Sequence, residues 1–390
     1  MKKIISGLML LFLALTLTSC VELNSETELE FTQLPQAVIN DDDAKGKLSK
    51  SEILVKIGDN EYTLEAAEKV GAVVEGAEYE GAGYHTLLVT YKDVTIAFTY
   101  LVNVEPTKAY DISWYDAGEP YVISNAAELR GLAYLVNEKN ICFAGKTVSL
   151  DADIDLAGYA WTPIGEGSRE NGDINTIRTD YTFQGHFDGQ NHVVKNLTDA
   201  GYLPSKVYPY VNSANQIVYG YVYGLFGMIN ASGVVIENVK LENVEINGAV
   251  VLNDKIYYAD SAAGIVGYSC EAEYQDETTI TISNCVVSGD INGYDAMAGI
   301  AGRLSTGKWI IKNCVNKANV TTSRASGDKT GGIVGGNTGS KSYLELESCV
   351  NSGVLKGAQN VGGYVGFFGA SSKTLIIDGT KYTTRGSVNK

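Results

Sequence analysis

The sequence predicts an all-β protein dominated by a β-solenoid, and two repeated phrases and one periodicity carry this prediction. The first phrase is Gly-x-x-Gly, and its five copies begin 40, 35, 33 and 31 residues apart, a period typical of solenoids. A second phrase follows each of the first four copies, as in ISNCVVSGDI from Ile282. No single unit could bury its own apolar face, so successive units must stack. The first phrase begins at Gly224, Gly264, Gly299, Gly332 and Gly363.

Within each unit, apolar residues alternate with polar or small ones, as in residues 343–347, and no unit has a helix-length apolar pattern. Parallel coiling would stack equivalent positions about 4.8 Å apart. It would therefore place Cys285, Cys314 and Cys349 in one buried column, as free thiols rather than a disulfide, because a bridge between in-register neighbours is strained. The glycines of the first phrase fit corners that need a positive φ or a close backbone approach.

The alternation of Gly-x-x-Gly with the Asn-Cys-Val phrase resembles the GLUG repeat of bacterial surface proteins, over roughly the second half of the chain. Residues 148–156, 161–165 and 183–189 resemble the lead-in that opens such a solenoid. The resemblance implies a right-handed parallel β-helix, but it indicates almost nothing about activity. We expect about seven rungs over residues 146–390.

Residues 1–19 predict a lipoprotein signal peptide, because two lysines precede an apolar run that ends in Leu-Thr-Ser-Cys. The run is too short for an ordinary membrane span, and a cysteine after a small residue is the acceptor for a lipid. Cys20 is thus the predicted lipidated N-terminus, followed by a linker over 20–27. The expected location is a bacterial outer membrane, reached through this lipid. A plain signal peptide with a chance cysteine is the alternative.

Residues 28–105 are predicted to form a small β-sandwich. Two alternating segments, 83–92 and 98–104, predict a hairpin, and the first resembles the last hairpin of a bacterial Ig-like domain. Such a domain serves as a spacer as often as a binder. Residues 21–105 carry 17 acidic and 6 basic side chains, a net charge of −11 out of −16 for the chain. This acidity disfavours nucleic acid as a partner, because phosphate binding needs clustered Lys and Arg.

The predicted β-helix, 106–390, opens with a capping segment over 110–139. Asn125 and Glu128 form a capping box for a helix that covers the open end of the solenoid. One last strand, 374–378, is expected to end the chain. The apolar stripe of the helix is Leu129, Leu132, Ala133 and Val136, and Trp114 and Trp161 are predicted to pack beside it.

Candidate metal ligands are weak. Asp151, Asp153 and Asp155 alternate on one strand and share an outward face, and Asp188 from the next rung could complete a site. Calcium needs six to eight oxygens, so a solvated acidic face is the preferred interpretation, and no metal or other cofactor is expected.

Catalytic motifs are also missing from the sequence. None of the three histidines stands in an HExxH motif, and there is no G-x-S-x-G elbow and no P-loop. Glycan lyases and hydrolases built on β-helices need carboxylates beside Arg or Lys. Arg303 is the one candidate base, and no acidic residue is expected to recur beside it. We therefore predict no catalytic residues and an adhesin-like binding protein, with a carbohydrate-active enzyme and a purely structural spacer as alternatives.

Two insertions, 199–222 and 248–263, lengthen the earliest units. Equivalent loops of a solenoid emerge on the same edge, so we expect the two to be neighbours. Both are rich in tyrosine, whose rings stack on sugars or anchor protein interfaces, so a glycan or a host or neighbouring-cell protein is the expected partner. The alternative is that the rings merely cover the rungs. The candidate ligand-binding residues are Tyr202, Tyr208, Tyr210, Tyr219, Tyr221, Tyr257, Tyr258 and Tyr294.

Overall fold

The computed structural model leaves the predicted signal peptide, the linker and Cys20 outside the residues that it describes. No helix in the described part of the chain is long and apolar enough to cross a membrane. The described residues are 28–35, 38–41, 45–80, 83–103, 110–158, 160–166, 168–169, 177–178, 181–200, 202, 208–211, 217–229, 233–252, 255–269, 279–304, 307–337, 342–369 and 373–389.

The chain divides into two compact units, whose described residues belong to the segments 1–35, 49–74 and 88–97 for the first and 36–48, 75–87 and 98–390 for the second. The predicted boundary at residue 105 lies outside the described residues. The elements up to that boundary are β1 (Leu29–Gln33), β2 (Val38–Asn40), β3 (Lys45–Lys47), β4 (Leu54–Ile57), β5 (Asn60–Thr63), α1 (Leu64–Lys69), β6 (Val73–Glu75), β7 (Glu78–Glu80), β8 (Gly83–Tyr91) and β9 (Val94–Asn103).

These strands form three small sheets, in the orders β1-β4-β5, β2-β9-β8-β6 and β3-β7. The predicted hairpin is confirmed, because β8 and β9 are neighbours and Lys92, between them, takes a φ of 52°. Strand β9 begins at Val94, four residues before the predicted start. Strand β2 pairs parallel to β9, and the Ig-like assignment stays a prediction.

The capping segment contains α2 (Ser113–Asp116), β10 (Tyr121–Ile123) and α3 (Ala126–Asn137). The Asn125 side chain accepts a hydrogen bond from the Glu128 N–H at 3.0 Å, as predicted, but the Glu128 carboxylate accepts from the N–H of Ser124 at 2.6 Å instead of Asn125. All four residues of the apolar stripe are buried, and they share one hydrophobic core with Trp114, Trp161 and the rungs. The helix therefore closes this end of the core.

The rest of the chain is a stack of short strands. In chain order these are β11 (Thr147–Leu150), β12 (Ile154–Asp155), β13 (Ser168–Arg169), β14 (Ile177–Arg178), β15 (His186–Asp188), β16 (Val193–Lys195), β17 (Tyr208–Val211), β18 (Ile217–Tyr223), β19 (Phe226–Ile229), β20 (Val235–Glu237), β21 (Lys240–Ile246), β22 (Ala249–Leu252), β23 (Lys255–Ala263), β24 (Val266–Ser269), β25 (Thr279–Ser283), β26 (Val286–Gly293), β27 (Ala296–Ala298), β28 (Ala301–Leu304), β29 (Gly307–Lys312), β30 (Val315–Asn316), β31 (Asn319–Thr322), β32 (Lys329–Gly331), β33 (Val334–Asn337), β34 (Ser342–Glu347), β35 (Val350–Asn351), β36 (Leu355–Lys356), β37 (Val361–Gly362), β38 (Val365–Phe368), β39 (Thr374–Ile377), β40 (Thr380–Tyr382) and β41 (Gly386–Val388).

Four long sheets run along this stack. The first has the order β10-β11-β15-β20-β25-β29-β34-β39-β40, the second β12-β16-β21-β26-β30-β35, the third β17-β18-β23-β27-β32-β37, and the fourth β19-β24-β28-β33-β38-β41. Neighbouring rungs pair in parallel, as the register of β25 with β29 and of β29 with β34 illustrates. The first sheet contributes seven rung strands from β11 to β39 within the described residues, so the prediction of an all-β, β-helix-like stack of about seven parallel rungs is confirmed. Its right-handed sense stays a prediction.

The far end of the stack differs from the prediction of a single last strand. After β39, strands β40 and β41 fold back and pair antiparallel with β39 and β38. A returning strand occupies the hydrogen-bonding groups that the last rung would otherwise leave open, which protects the sheet edge.

The Gly-x-x-Gly glycines are explained by close packing. None of the five first glycines has a positive φ, so the conformational part of the prediction is wrong. A Cβ on Gly299 would lie 2.1 Å from Cγ of the buried Asn316, and a Cβ on Gly332 would lie 2.1 Å from the Gly363 carbonyl oxygen. At these two positions glycine is required because the next rung leaves no room for a side chain.

Asparagines, and not these glycines, take the left-handed conformation at one corner of the solenoid. Asn238, Asn284 and Asn313 have φ values of 56°, 53° and 52°. The Asn284 amide donates to Asn238 Oδ1 at 3.0 Å, and the Asn313 amide donates to Asn284 Oδ1 at 3.2 Å. Their side chains thus form a hydrogen-bonded ladder along the stack. The neighbouring column of Cys285, Cys314 and Cys349 is buried and its thiols are free, as predicted.

Candidate functional site

The two insertions form adjacent β-hairpins. Strands β17 and β18 pair antiparallel in the first insertion, and β22 and β23 do so in the second. Strands β18 and β23 then pair in parallel, with Tyr219 opposite Tyr257. The prediction that the insertions are neighbours is therefore confirmed.

Two of the candidate tyrosines belong to the core. Tyr202 is 3% exposed and donates a hydrogen bond to Glu166 at 2.5 Å. Tyr221 is 1% exposed and donates to Asp199 at 3.0 Å. Burial raises the pKa of the Asp199 carboxyl, although two backbone N–H groups and Tyr221 oppose this shift. The proposal of a ligand-binding role for Tyr202 and Tyr221 is wrong, because buried rings have no face to offer.

The structure describes the side chains of three of the other candidates and not those of the remaining three. The side chains of Tyr208, Tyr210 and Tyr219 lie outside the described residues. Tyr257 is half-buried and packs against the main core. Tyr258 and Tyr294 are also half-buried, and they lie against each other, with ring centroids 5.0 Å apart.

Arg324, on the next rung, packs beside Tyr294 and extends this pair of rings. The Tyr294 N–H donates to the carbonyl of Ala259 at 2.8 Å, and the Arg324 N–H donates to the Tyr294 carbonyl at 3.1 Å. The Arg324 guanidinium lies 5.9 Å from the centroid of the Tyr294 ring, within cation–π distance. We call Tyr258, Tyr294 and Arg324 the Tyr–Arg column. It begins in the second insertion and ends on the body of the solenoid.

Beside this column lies a cluster of charged side chains around Asp295. The Asp295 carboxylate is 4% exposed and binds Lys329 Nζ at 2.7 Å, the Arg324 guanidinium at 3.0 Å and the Arg303 guanidinium. Arg303 also approaches Asp260, with 3.7 Å between the closest charged atoms. Five side chains from five different strands or loops therefore meet in one cluster, and three of them are cationic.

The charges of this cluster shift the pKa values of its members. Burial opposes ionisation of Asp295, but Arg303, Lys329 and Arg324 hold the pKa of its carboxyl below the usual value. Burial, reinforced by the neighbouring Arg303, lowers the pKa of the Lys329 ammonium. Lys329 and Arg303 are 13% and 15% exposed, whereas Arg324 is 28% exposed. Arg324 is thus the cation most accessible to a ligand.

The sequence contains a signal for this cluster, and the expectation that no acidic residue recurs beside Arg303 is wrong. Asp260, Asp295 and Asp328 each stand four residues before a Gly-x-x-Gly phrase, so acidic residues do recur at one repeat position near Arg303. The strand register places Asp295 one rung from each of the other two. Asp328 has a structural role, because its carboxylate accepts the N–H groups of Ala358 and Gln359 at 2.8 Å each.

Three of the four aspartates named as a weak metal candidate have separate partners. The Asp153 carboxylate binds His192 Nδ1 at 3.1 Å, and the Asp155 carboxylate binds Lys195 at 3.1 Å. Asp188 instead accepts hydrogen bonds from Asn238 and from the backbone N–H of Gln190, each at 2.9 Å. These separate partners give no support to the weak metal candidate, and the preferred interpretation of a solvated acidic face stays a prediction. Within the described ranges, the group with metal-ligand geometry is His186, Asp188 and Glu237.

Comparison with known proteins gives two similarities. A segment of halomucin from Haloquadratum walsbyi (strain DSM 16790 / HBSQ001) is 25% identical over 183 residues, which cover 47% of this chain and 2% of halomucin. The crystal structure of "a putative immunoglobulin A1 protease" from Bacteroides ovatus covers 70% of this chain and 84% of its own, at 22% identity and a TM-score of 0.43. No protein-family model matches the chain, so the GLUG and Ig-like resemblances stay predictions.

Proposed function

We propose that this chain is a lipid-anchored bacterial surface protein whose β-solenoid binds a glycan or a protein of another cell, without catalysing a reaction. The GLUG-like repeats stack into the solenoid, and the Ig-like segment acts as the stalk that holds it away from the membrane. The anchor rests on the Leu-Thr-Ser-Cys sequence that ends at Cys20. The halomucin similarity is in keeping with a surface protein, although it covers a small part of that chain.

The Tyr–Arg column is the observation that carries the binding function. Its rings are only half-buried, and Arg324 keeps 28% of its side chain accessible although it also binds Asp295. Aromatic rings and arginines are enriched where binding energy concentrates, because both combine a large apolar surface with directed hydrogen bonds. The second insertion supplies Tyr258, so the lengthening of the early units builds part of this surface.

A second candidate function is favoured by the cluster around Asp295. Carboxylates beside basic residues on a β-helix face are what a glycan-cleaving enzyme needs, and Lys329 has the lowered pKa of a general base. Lys329 is only 13% exposed, however, and its ammonium is already bound to Asp295 and to the Gly327 carbonyl. The binding function therefore ranks first.

A glycan and host-matrix array, probed with the purified full chain, tests the binding function. We expect Tyr258→Ala and Arg324→Gln each to weaken the strongest interaction at least tenfold, with a melting temperature close to that of the wild type for Tyr258→Ala. Tyr343→Ala is the matched control. Lys308 Nζ lies 5.3 Å from the centroid of the Tyr343 ring, a similar cation–π pair, but Tyr343 lies on the first sheet. Unchanged binding in both site variants would contradict the proposal. Cleavage products that disappear in Lys329→Met would favour the enzyme.

The lipid anchor has its own test. Cells that express the chain and grow in radiolabelled palmitate should label the wild type but not Cys20→Ala, because the thiol is the acceptor. Cys142→Ala is the control, since Cys142 is a free cysteine within the described solenoid unit. Labelling of Cys20→Ala at the level of the wild type would refute the anchor without affecting the binding proposal.

A further inference from the structure

A histidine and two carboxylates meet on the outer face of the first sheet, away from the Tyr–Arg column. His186 and Asp188 lie on β15, and Glu237 lies on β20, directly opposite Asp188 in the register. The potential ligand atoms of the three side chains all lie within 4.8 Å of one another, and each side chain is half-exposed. His186 Nε2 is 2.8 Å from Glu237 Oε1.

Asp188 and Glu237 belong to a column of stacked side chains that continues through Ser283, Lys312 and Glu347 on the following rungs. Two rungs further on, the same column places Lys312 opposite Glu347, an ion pair of 2.7 Å. At the Asp188–Glu237 position it places two carboxylates opposite each other, an arrangement that is unfavourable without a cation. Within the described part of the chain no Lys or Arg pairs with either carboxylate, and the Glu237 carboxylate lies beside the His186 imidazole. A positive charge between the three side chains would turn this repulsion into attraction.

The neighbouring donors orient each of the three groups. Thr147 Oγ1 lies 3.4 Å from His186 Nδ1, which leaves Nε2 directed at the carboxylates. The Asn238 side-chain amide donates a hydrogen bond to Asp188 Oδ1 at 2.9 Å, and the Ser283 hydroxyl donates one to Glu237 Oε2 at 3.3 Å. Outer hydrogen bonds of this kind fix the orientation of metal ligands and are a regular part of metal sites.

We propose that His186, Asp188 and Glu237 bind one divalent transition-metal ion, such as Zn²⁺. One imidazole nitrogen and two carboxylate oxygens form a ligand set that suits Zn²⁺ better than Ca²⁺, which prefers six to eight oxygens. Metal–ligand bonds of about 2.0–2.2 Å would require the three atoms to lie about 3.5 Å apart. Half-exposed side chains can reach this spacing by small rotations. The three protein ligands leave a coordination position open towards solvent.

The chain provides a matched control. His192 Nδ1 binds Asp153 at 3.1 Å on the adjacent sheet, but no second carboxylate joins that pair in a metal-ligand group within the described ranges. His192→Ala therefore removes an exposed histidine–aspartate pair without touching the proposed site. It separates binding at the three-residue site from binding at any surface histidine.

The test is isothermal titration calorimetry of ZnCl₂ into the purified full chain and its variants. We expect one ion per chain with micromolar affinity, at least tenfold weaker binding in His186→Ala and in Glu237→Gln, and unchanged binding in His192→Ala. An excess of Ca²⁺ should not displace the Zn²⁺. Equal affinity in wild type and His186→Ala, or displacement by Ca²⁺, would overturn the proposal. Circular dichroism of each variant checks the fold, and Asp188→Asn replaces any variant that fails it.

Discussion

Lys329 binds Asp295 twice. Its backbone N–H donates to the Asp295 carbonyl at 2.7 Å, and its Nζ lies 2.7 Å from Asp295 Oδ1. The first bond belongs to the ladder between rungs, and the second uses the proximity that this ladder creates. Repetition of the backbone therefore brings together side chains that are far apart in sequence.

The first prediction concerns Asp295→Asn. The substitution would leave Arg303, Arg324 and Lys329 close together without their central counter-charge, and breaking a buried ion pair costs about 3–5 kcal/mol. We expect a loss of this size in the free energy of unfolding, measured by urea denaturation. Asp260→Asn is the control, since its carboxylate is 23% exposed and lies 3.7 Å from Arg303, and it should cost less than about 1 kcal/mol. Equal losses in the two variants would contradict this account.

The second prediction concerns acid stability. The pKa of Asp295 is lower in the folded chain than its usual value, because of the three cations around it. Its stabilising contribution is therefore complete above the unfolded pKa of about 3.9, and it is lost as the pH falls through the lower folded value. We expect Asp295→Asn to flatten the acid limb of a plot of unfolding free energy against pH. Parallel acid limbs in wild type and variant would show that other carboxylates dominate.

The third prediction concerns the asparagine ladder. Asn313→Ala would lose the 3.2 Å bond to Asn284 and would place an alanine at a φ of 52°. The left-handed conformation costs an ordinary residue about 1–2 kcal/mol, and the lost hydrogen bond about 1 kcal/mol. Asn313→Gly loses the same bond without the backbone cost, so thermal unfolding should rank wild type above Gly and Gly above Ala. A glycine variant less stable than the alanine variant would disprove this division.

The sequence was sufficient for the architecture, because a repeat of about 31–40 residues dictates which positions stack. It predicted the parallel rungs, the cysteine column, the capping helix and the adjacency of the insertions. The side-chain sites were harder to predict. Tyr202 and Tyr221 look like surface aromatics in the sequence, but Glu166 and Asp199 bind their hydroxyls inside the structure.

The charged cluster was missed for a related physical reason. Asp295 and Lys329 stand 34 residues apart, and Arg303 and Arg324 follow no repeat position of their own. Of this cluster, the repeat positions in the sequence indicate only the column of Asp260, Asp295 and Asp328. Long basic side chains reach across rungs, so the register of their Cα atoms does not reveal which carboxylate they will meet.

The fourth prediction concerns the thiols. A hydrogen bond with Cys285 raises the pKa of Cys314, a hydrogen bond with Cys314 raises that of Cys349, and burial raises both further, which keeps the two thiols protonated and unreactive. In the native chain, iodoacetamide should label Cys142, which is partly exposed, and spare Cys285, Cys314 and Cys349. In denaturant without reductant, all four should react. Failure of the column cysteines to react after unfolding would indicate a disulfide.

Cys314→Ser tests the same column energetically. The thiol has the Lys312 carbonyl 3.2 Å away, so a serine hydroxyl would find an acceptor there. We therefore expect a cost near 1 kcal/mol, at the low end for a hydroxyl buried among apolar groups. A loss above about 3 kcal/mol in urea denaturation would mean that this acceptor is not used.

The last prediction separates steric from conformational reasons for the repeated glycines. Gly299 and Gly363 occupy the same position of the repeat, and neither has a positive φ. A Cβ at Gly299 would lie 2.1 Å from Cγ of the buried Asn316, whereas at Gly363 the nearest atom, Asn389 Oδ1, is 3.3 Å away. Overpacking costs about 1–3 kcal/mol, so Gly299→Ala should lose at least that much and Gly363→Ala less than about 1 kcal/mol in urea denaturation. Since neither site has a positive φ, packing is the difference under test, and equal losses at the two sites would mean that the packing explanation is wrong.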